Sequence, residues 1–305
     1  MLREVRCGHQ VTECVPRSGG QLSQVYEARF ADGTRPLIIK IYAEPWPWKQ
    51  GKEVYVYQLL HRHLMSCIPT VLHAGSSPEQ LGSQAYTVMT MLPGQPLLAV
   101  SPSLADDEIF GVYRQMGSIL AELHRIAQDA FGYLVTAILD PKPTNAAYMT
   151  GQFGQKLRQF ADLGGDPALR AAMDRYVTDH QALFADCPGA ALCHNDFHEG
   201  NILVDRDERG GWQVTGFIDV ENAIAADPLI DLAKTDCYSI RGHRAKLAGL
   251  LAGYGPCGVA WTGRLAIYRL YHALELWDWF AALGQAQPLG GLADDMHELV
   301  SGAGE

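Results

Sequence analysis

Residues 192–205, LCHNDFHEGNILVD, followed by GFIDVENA at 216–223, constrain this chain more than any other stretch. They set out a histidine, two aspartates and an asparagine in the order His194, Asp196, Asn201, Asp219. In the pattern H-x-D-x-x-x-x-N, a loop aspartate sits beside an attacking hydroxyl, and the asparagine beyond it holds a magnesium ion against nucleotide phosphates. Asp219 closes the apolar run 216–218, which reads as a short strand, and from there it can bind metal bridging the terminal phosphates. One such tripeptide would mean little, whereas the ordered set means much.

Phosphoryl transfer accounts for these residue types. The transferred group passes through a loose transition state whose charge must be positioned and neutralised, with little covalent help. Magnesium prefers oxygen ligands and keeps several waters, so one carboxylate and one amide oxygen beside phosphate oxygens make a site. That assigns Asp219 and Asn201. A carboxylate left free of metal can orient the hydroxyl and accept its proton, which for general bases contributes roughly 10²- to 10⁴-fold in rate. That assigns Asp196.

The segment as a whole resembles the aminoglycoside phosphotransferase and choline kinase-like family, whose members typically carry HGDLHxGN and then a hydrophobic-IDxE run. This chain reads HNDFHEGN and then FIDVE: Asn195 replaces the usual glycine and Phe197 the usual leucine, while each metal-binding or catalytic position is present. The resemblance implies an α+β, bilobal, protein-kinase-like fold, with a small antiparallel-sheet lobe over 1–93 and a mainly helical lobe over 94–305. The break falls at Pro93-Gly94, after the strand-like AYTVMTML. The implied reaction moves the γ-phosphate of ATP, with GTP as the alternative donor, to a hydroxyl of a small molecule, with Mg2+ as cofactor. Aminoglycosides lead as acceptors, ahead of choline-like alcohols, sugars, amino-acid alcohols and macrolides.

Upstream, PLIIKIY at 36–42 is a β-branched run of strand type, and by the resemblance its Lys40 pairs with the nucleotide phosphates. A lysine inside an apolar strand requires a partner, because burying an unpaired ammonium is costly. Glu53, opening the helical run EVYVYQLLHRHL, is the candidate; the alternative is a packed stem whose head reaches water. Before Lys40, the loop from Ser18 through Gly19 and Gly20 to Ser23 is expected to cover the phosphates, ahead of a hairpin turn at Asp32-Gly33. Thr90 and Leu92 match the family's linker, where backbone groups contact adenine.

Downstream, AADPLIDLAKT matches the run in which a second aspartate steadies the catalytic loop, a role that fits Asp227 and Asp231, while His194 is read as fixing the loop itself. In RLAIYRLYHALELWDWF one helical face is apolar. Another carries Tyr268, His272 and Glu275, with Asp278 adjoining, which suits a cationic, hydroxyl-rich acceptor through charge pairing and ring faces. A solvated face is the alternative. The region 131–165 mixes Gly, Pro and polar residues with short apolar runs and is expected to form an insertion at the acceptor site.

A formal charge of -10 argues against nucleic acid as main partner and favours a cationic acceptor. The seven cysteines include no C-x-x-C pair, so neither a zinc site nor a disulfide framework is expected, and a reducing cytoplasm fits. No apolar stretch reaches the roughly 18 residues of a membrane-spanning helix. Two other readings fit part of the pattern. A metal-dependent hydrolase could use the H-x-D-x-H cluster of His194, Asp196 and His198, but leaves Lys40, Asn201 and Asp219 without a role. A non-catalytic nucleotide-binding module commonly lacks one of these residues, and this chain keeps them all.

Overall fold

The computed structural model describes residues 10–17, 23–43, 46–77 and 84–302. They divide into two compact units. Of the described residues, the first takes those up to Glu108 together with Leu134–Ala137 and Glu199–Ala223; the second takes Ile109–Tyr133, Ile138–His198 and those from Ile224 onward. Gly94 lies inside the first unit, which also takes in Asn201 and Asp219.

Strands β1 (Val11–Arg17), β2 (Ser23–Phe30), β3 (Leu37–Tyr42), β4 (Val71–Ser76) and β5 (Ala85–Thr90) of the first unit form one sheet, with helix α1 (Trp48–Arg62) between β3 and β4. The strand order is β1-β2-β3-β5-β4, and every adjacent pair is antiparallel. Alternation with period two sorts the side chains by face. Ala28, Phe30, Leu37, Ile39, Tyr86 and Val88 build an apolar cluster. Lys40 and Tyr42 alternate with Ile39 and Ile41, and the Tyr42 hydroxyl bonds Glu53 of α1 and Thr87.

Helix α1 buries Lys49, Lys52, Glu53, Val56, Tyr57 and Leu60, a spacing of three and four that marks one face. Half of that face is charged and half apolar. The helix therefore packs at its C-terminal half and presents ionic groups at its N-terminal half.

The first unit also holds a three-stranded antiparallel sheet of β6 (Gln95–Pro96), β10 (Ile202–Arg206) and β11 (Trp212–Phe217). A Cβ on Gly216 would stand 2.3 Å from the Cys67 carbonyl oxygen, so only glycine allows β11 its close approach, where the Phe217 N–H donates to that oxygen at 3.0 Å.

Helices dominate the second unit: α2 (Asp106–Leu123), α3 (Asn145–Asp162), α4 (Pro167–His180), α5 (Leu229–Thr235), α6 (Arg244–Tyr254), α7 (Trp261–Ala282) and α8 (Leu289–Ser301). A small sheet runs β8 (Ile138–Lys142), β7 (Phe131–Leu134), β12 (Ile224–Ala226), β9 (Ala191–Cys193). Helix α2 buries Ile109, Val112, Met116, Leu120 and Leu123 at spacings of three and four, whereas Ile119 is only partly buried. Region 131–165 forms β7, β8 and α3, the helix being capped by the Thr144 hydroxyl, which accepts the Ala147 N–H.

Helix α7 departs from the two-faced expectation. Arg264, Tyr268, His272 and Asp278 are as buried as Ile267, Leu270 and Leu274, so its polar side is covered by neighbouring helices rather than water. Among the described residues the six cysteines are free, and no helix is long and apolar enough to cross a membrane.

Candidate functional site

Within the first unit, the Lys40 ammonium is surrounded by carboxylates: Asp219 at 2.7 Å, Glu53 at 3.0 Å and Glu221 at 3.0 Å. Burial works against the ammonium, yet Asp219, Glu53 and Glu221 outweigh it and hold the Lys40 pKa well above the usual lysine value. Glu221 also takes Lys49 at 2.7 Å, and the fully buried Lys52 adds a third lysine to this end of α1. Burial, with the Lys49 charge adding to it, brings the Lys52 pKa down to about 7. Neither Lys49 nor Lys52 was singled out from sequence, although both share a helix face with Glu53. Ser18, Gly19 and Gly20 lie outside the described residues. Ser23 opens β2 opposite Tyr42. Thr90 ends β5, giving its N–H to Thr70 O at 2.9 Å and accepting the Thr70 N–H at 2.8 Å on its hydroxyl. The Leu92 side chain packs over Gly216.

The β10–β11 ladder accounts for the placement of Asn201 and Asp219. Ile202 pairs with Phe217, and the Ile218 N–H donates to the Asn201 carbonyl at 3.0 Å, so Asn201 and Asp219 flank the same ladder end. Asp219 sits at φ 66 and ψ 57, a left-handed conformation costly for a non-glycine residue. Its N–H donates to the Tyr57 hydroxyl at 3.2 Å, which ties this strained turn to α1. Asn201 and the Asp219 carboxylate, the latter beside Lys40, are residues of the oxygen-donor type that could hold a magnesium ion shared with phosphate oxygens.

Within the second unit, residues 194–198 leave β9 as a loop pinned from α5. Asp231 accepts the His194 N–H at 2.7 Å and the Asn195 N–H at 2.6 Å, and His124 Nε2 lies 3.1 Å from the same carboxylate. Burial opposes its ionisation, but His124, His194 and the loop N–H groups keep the Asp231 pKa below the ordinary value. The Thr235 hydroxyl donates to Phe197 O at 2.7 Å. Asp227 binds α7 instead: Arg264 Nη1 lies 2.6 Å away and the Tyr268 hydroxyl donates to it at 2.8 Å. His124, Cys193 and Asp231 are the one group among the described residues close enough to share a metal, and Asp231 is already engaged by the loop. The trio His194, Asp196 and His198 is not such a group, which removes the geometric basis for the hydrolase reading.

Asp196 has His198 Nε2 at 3.5 Å and the Lys234 ammonium at 4.0 Å, both measured to Oδ1. The four residues of α7 considered for the acceptor occupy different settings. Tyr268 is fully buried between Asp227 and Asn145. His272 bonds Ile230 O at 2.9 Å through Nε2. Glu275 is partly exposed and binds Lys234 at 3.0 Å. Asp278 is buried, its carboxylate oxygens without a hydrogen-bond partner and its nearest cation Lys156 at 3.9 Å.

A cavity of about 740 Å³ lies among α4, α7, α8 and the turn 236–240, lined by Tyr176, Asp179, Asp236, Tyr238, Arg269 and Glu298 among others. Tyr238 is one of its lining residues and its ring stacks 5.9 Å from the His198 ring, while Asp196 is not among the residues that line the cavity. Arg269 pairs with Asp236 at 3.2 Å and Arg241 with Asp295 at 3.7 Å, so two of the lining carboxylates are already matched.

Comparison with known proteins adds to this geometry. The family model described as "Phosphotransferase enzyme family" matches residues 13–267. Among solved structures, a thermostable mutant of aminoglycoside phosphotransferase APH(4)-Ia, in ternary complex with AMP-PNP and hygromycin B, is 20% identical at a TM-score of 0.71, over 100% of this chain and 98% of that one. The GDP complex of wild-type aminoglycoside 2'-phosphotransferase-IIIa is 12% identical at 0.68, over 99% and 97%. A putative fructosamine-3-kinase from Haemophilus somnus 129PT is 14% identical at 0.66, over 97% and 92%. At these identities the likeness to solved structures is one of fold.

Proposed function

The chain belongs to the phosphotransferase enzyme family, and from that premise we propose that it moves the γ-phosphate of ATP to a hydroxyl of a small, cationic, hydroxyl-rich acceptor of the aminoglycoside type. The observation that supports this reading is the buried Lys40 ammonium held among Glu53, Asp219 and Glu221, a fixed cation of the kind a triphosphate requires. Asn201 and Asp219 are the residues that would hold magnesium, which when bound supplies positive charge to the phosphate oxygens.

In the transfer, the acceptor O–H bond breaks and its proton passes to the Asp196 carboxylate. The acceptor oxygen bonds the γ-phosphorus as the bond from that phosphorus to the β,γ-bridging oxygen breaks, leaving ADP. Lys40 steadies the phosphates while Glu53 keeps it in place. The cavity beside Tyr238 receives the acceptor: its aromatic walls suit ammonium groups and sugar rings, and Asp179 and Glu298 offer carboxylates besides those paired with arginine.

Purified protein given Mg-ATP or Mg-GTP is tested against hygromycin B, kanamycin, choline, fructose-derived amines, homoserine and a macrolide, with nucleoside diphosphate release as the readout. ADP release stimulated by an aminoglycoside supports the reading. Stimulation by choline or a sugar amine alone replaces the acceptor class, and no diphosphate release with any acceptor overturns the reading.

A further inference from the structure

Lys234 has no role assigned by the family motifs, yet its ammonium stands 4.0 Å from the Asp196 carboxylate. It projects from α5, the helix whose Asp231 and Thr235 pin the loop bearing Asp196. Its side chain is 7% exposed, with Glu275 of α7 at 3.0 Å, Asp196 at 4.0 Å and the Tyr238 ring centre at 4.4 Å. Burial drives this ammonium toward its neutral form, but Glu275, Tyr238 and Asp196 prevail and keep its pKa well above the usual value. Glu275 itself, also opposed by burial, is held far below the ordinary carboxylate range by Lys234 and His272. The charge beside Asp196 is therefore permanent at neutral pH.

An ion pair with one buried partner and one partly exposed partner is a poor stabiliser, since desolvation of the buried charge offsets most of the attraction. Its presence here is better explained by what it faces. Glu275 anchors the ammonium from α7, and the residual attraction acts on the one carboxylate within reach that the transfer uses.

We propose that Lys234 is a positioning residue: anchored by Glu275, its ammonium fixes the orientation of the Asp196 carboxylate for the acceptor hydroxyl. The proposal rests on Asp196 being the proton acceptor. Lys234 takes no proton and touches no phosphate in this role; it restricts the rotation of a side chain that His198 meets at 3.5 Å. Orientation of a reacting group is worth large rate factors when lost, because a misplaced base spends most encounters out of line.

The test compares wild type, Lys234→Met, Lys234→Gln, Lys234→Arg, Asp196→Asn and the double variant Asp196→Asn/Lys234→Met. ADP release from Mg-ATP is followed with hygromycin B and with water alone as acceptor. The expected result is a kcat lowered about 10- to 100-fold in Lys234→Met and Lys234→Gln, with KM for ATP within about twofold of wild type. Lys234→Arg should recover most of the loss. In the Asp196→Asn background, removing Lys234 should cost nothing further, because the two residues act as one unit. Unchanged kcat in Lys234→Gln, or the same fold loss in the Asp196→Asn background as in wild type, overturns the proposal. Should Lys234→Met fail to fold, Lys234→Gln and Lys234→Arg decide it. Where hygromycin B does not stimulate wild type, the acceptor of the panel above that does is used instead; absence of ADP release with all of them is a different result, and sinks the functional reading itself.

Discussion

The Lys40 ammonium lies 2.7 Å from a carboxylate oxygen of Asp219, a residue 179 positions further along the chain. Both belong to the first unit, and the contact joins the middle of β3 to the turn that follows β11. Two independent constraints hold it. Period-two alternation turns Lys40 away from the apolar cluster, and a left-handed backbone at φ 66 turns Asp219 out of its ladder. A strained residue opposite a buried lysine has little value for stability alone, since such strain costs of order 1–3 kcal/mol. Under the proposed function the pair gains sense, because it sets a cation and a candidate metal-binding carboxylate side by side.

Lys40→Met is therefore expected to act twice. It leaves Glu53, Asp219 and Glu221 together without their shared cation, at a cost of about 3–5 kcal/mol in urea unfolding, the range for breaking a buried pair. It should also weaken Mg-ATP binding roughly 10- to 100-fold in calorimetric titration. Wild-type affinity in a folded variant would remove Lys40 from the nucleotide site. For Asp219→Ala, magnesium-dependent nucleotide binding should weaken, and titrations matching wild type would argue against metal ligation.

Asp196→Ala should lower turnover by about 10²- to 10⁴-fold while nucleotide affinity stays near wild type, because a general base contributes to the transfer and not to holding the triphosphate. Turnover at the wild-type rate would refute the assignment. The variant is not expected to unfold, since the loop is held through its backbone by Asp231 and Thr235.

The departure at Asn195 has a conformational explanation. Its φ is 59, where glycine is at ease and asparagine is the next most tolerant residue, so the family's glycine and this asparagine satisfy one backbone requirement. The Asn195 side-chain oxygen is buried without a hydrogen-bond partner. Asn195→Gly is accordingly expected to be neutral or slightly stabilising, and Asn195→Val to cost about 1–2 kcal/mol. Thermal unfolding checks both, and a valine variant as stable as wild type would show that the loop conformation is not what selects the residue.

These particulars show where sequence reading succeeds and where it stops. The sheet-rich first unit and the helical second unit were legible, because alternation with period two and spacing of three and four follow from burial on one face. His194, Asp196, Asn201 and Asp219 stood out because phosphoryl transfer asks for those side chains in that order. Lys49, Lys52 and Lys234 did not, since a lysine in a helix reads as solvated unless its neighbours in space are known. Each is buried here by carboxylates or helices remote in sequence. The polar side of α7 was misjudged for the same reason: periodicity shows that Tyr268 and His272 share a side with Asp278 nearby, not that other helices cover it.

Asp278 offers the sharpest test in pH. Burial lifts its pKa from 3.8 to about 7, with Lys156 at 3.9 Å opposing the shift and the Glu275 charge adding to it. The native state thus keeps a proton that the unfolded chain releases near pH 4, and between about pH 4 and pH 7 the folded form binds more protons than the unfolded. Stability from this group must fall as pH rises through that window, and level off above it once both states are ionised. Asp278→Asn is neutral throughout and escapes the loss. Relative to wild type it should gain little at pH 4 and most at pH 7, with an upper bound of about 4 kcal/mol at about 1.4 kcal/mol for each tenfold ratio. Urea unfolding of both proteins from pH 4 to pH 8 measures it. A stability difference that stays flat over that range, or that grows toward acid, would mean that Asp278 is ionised in the native protein and finds its counter-charge in Lys156.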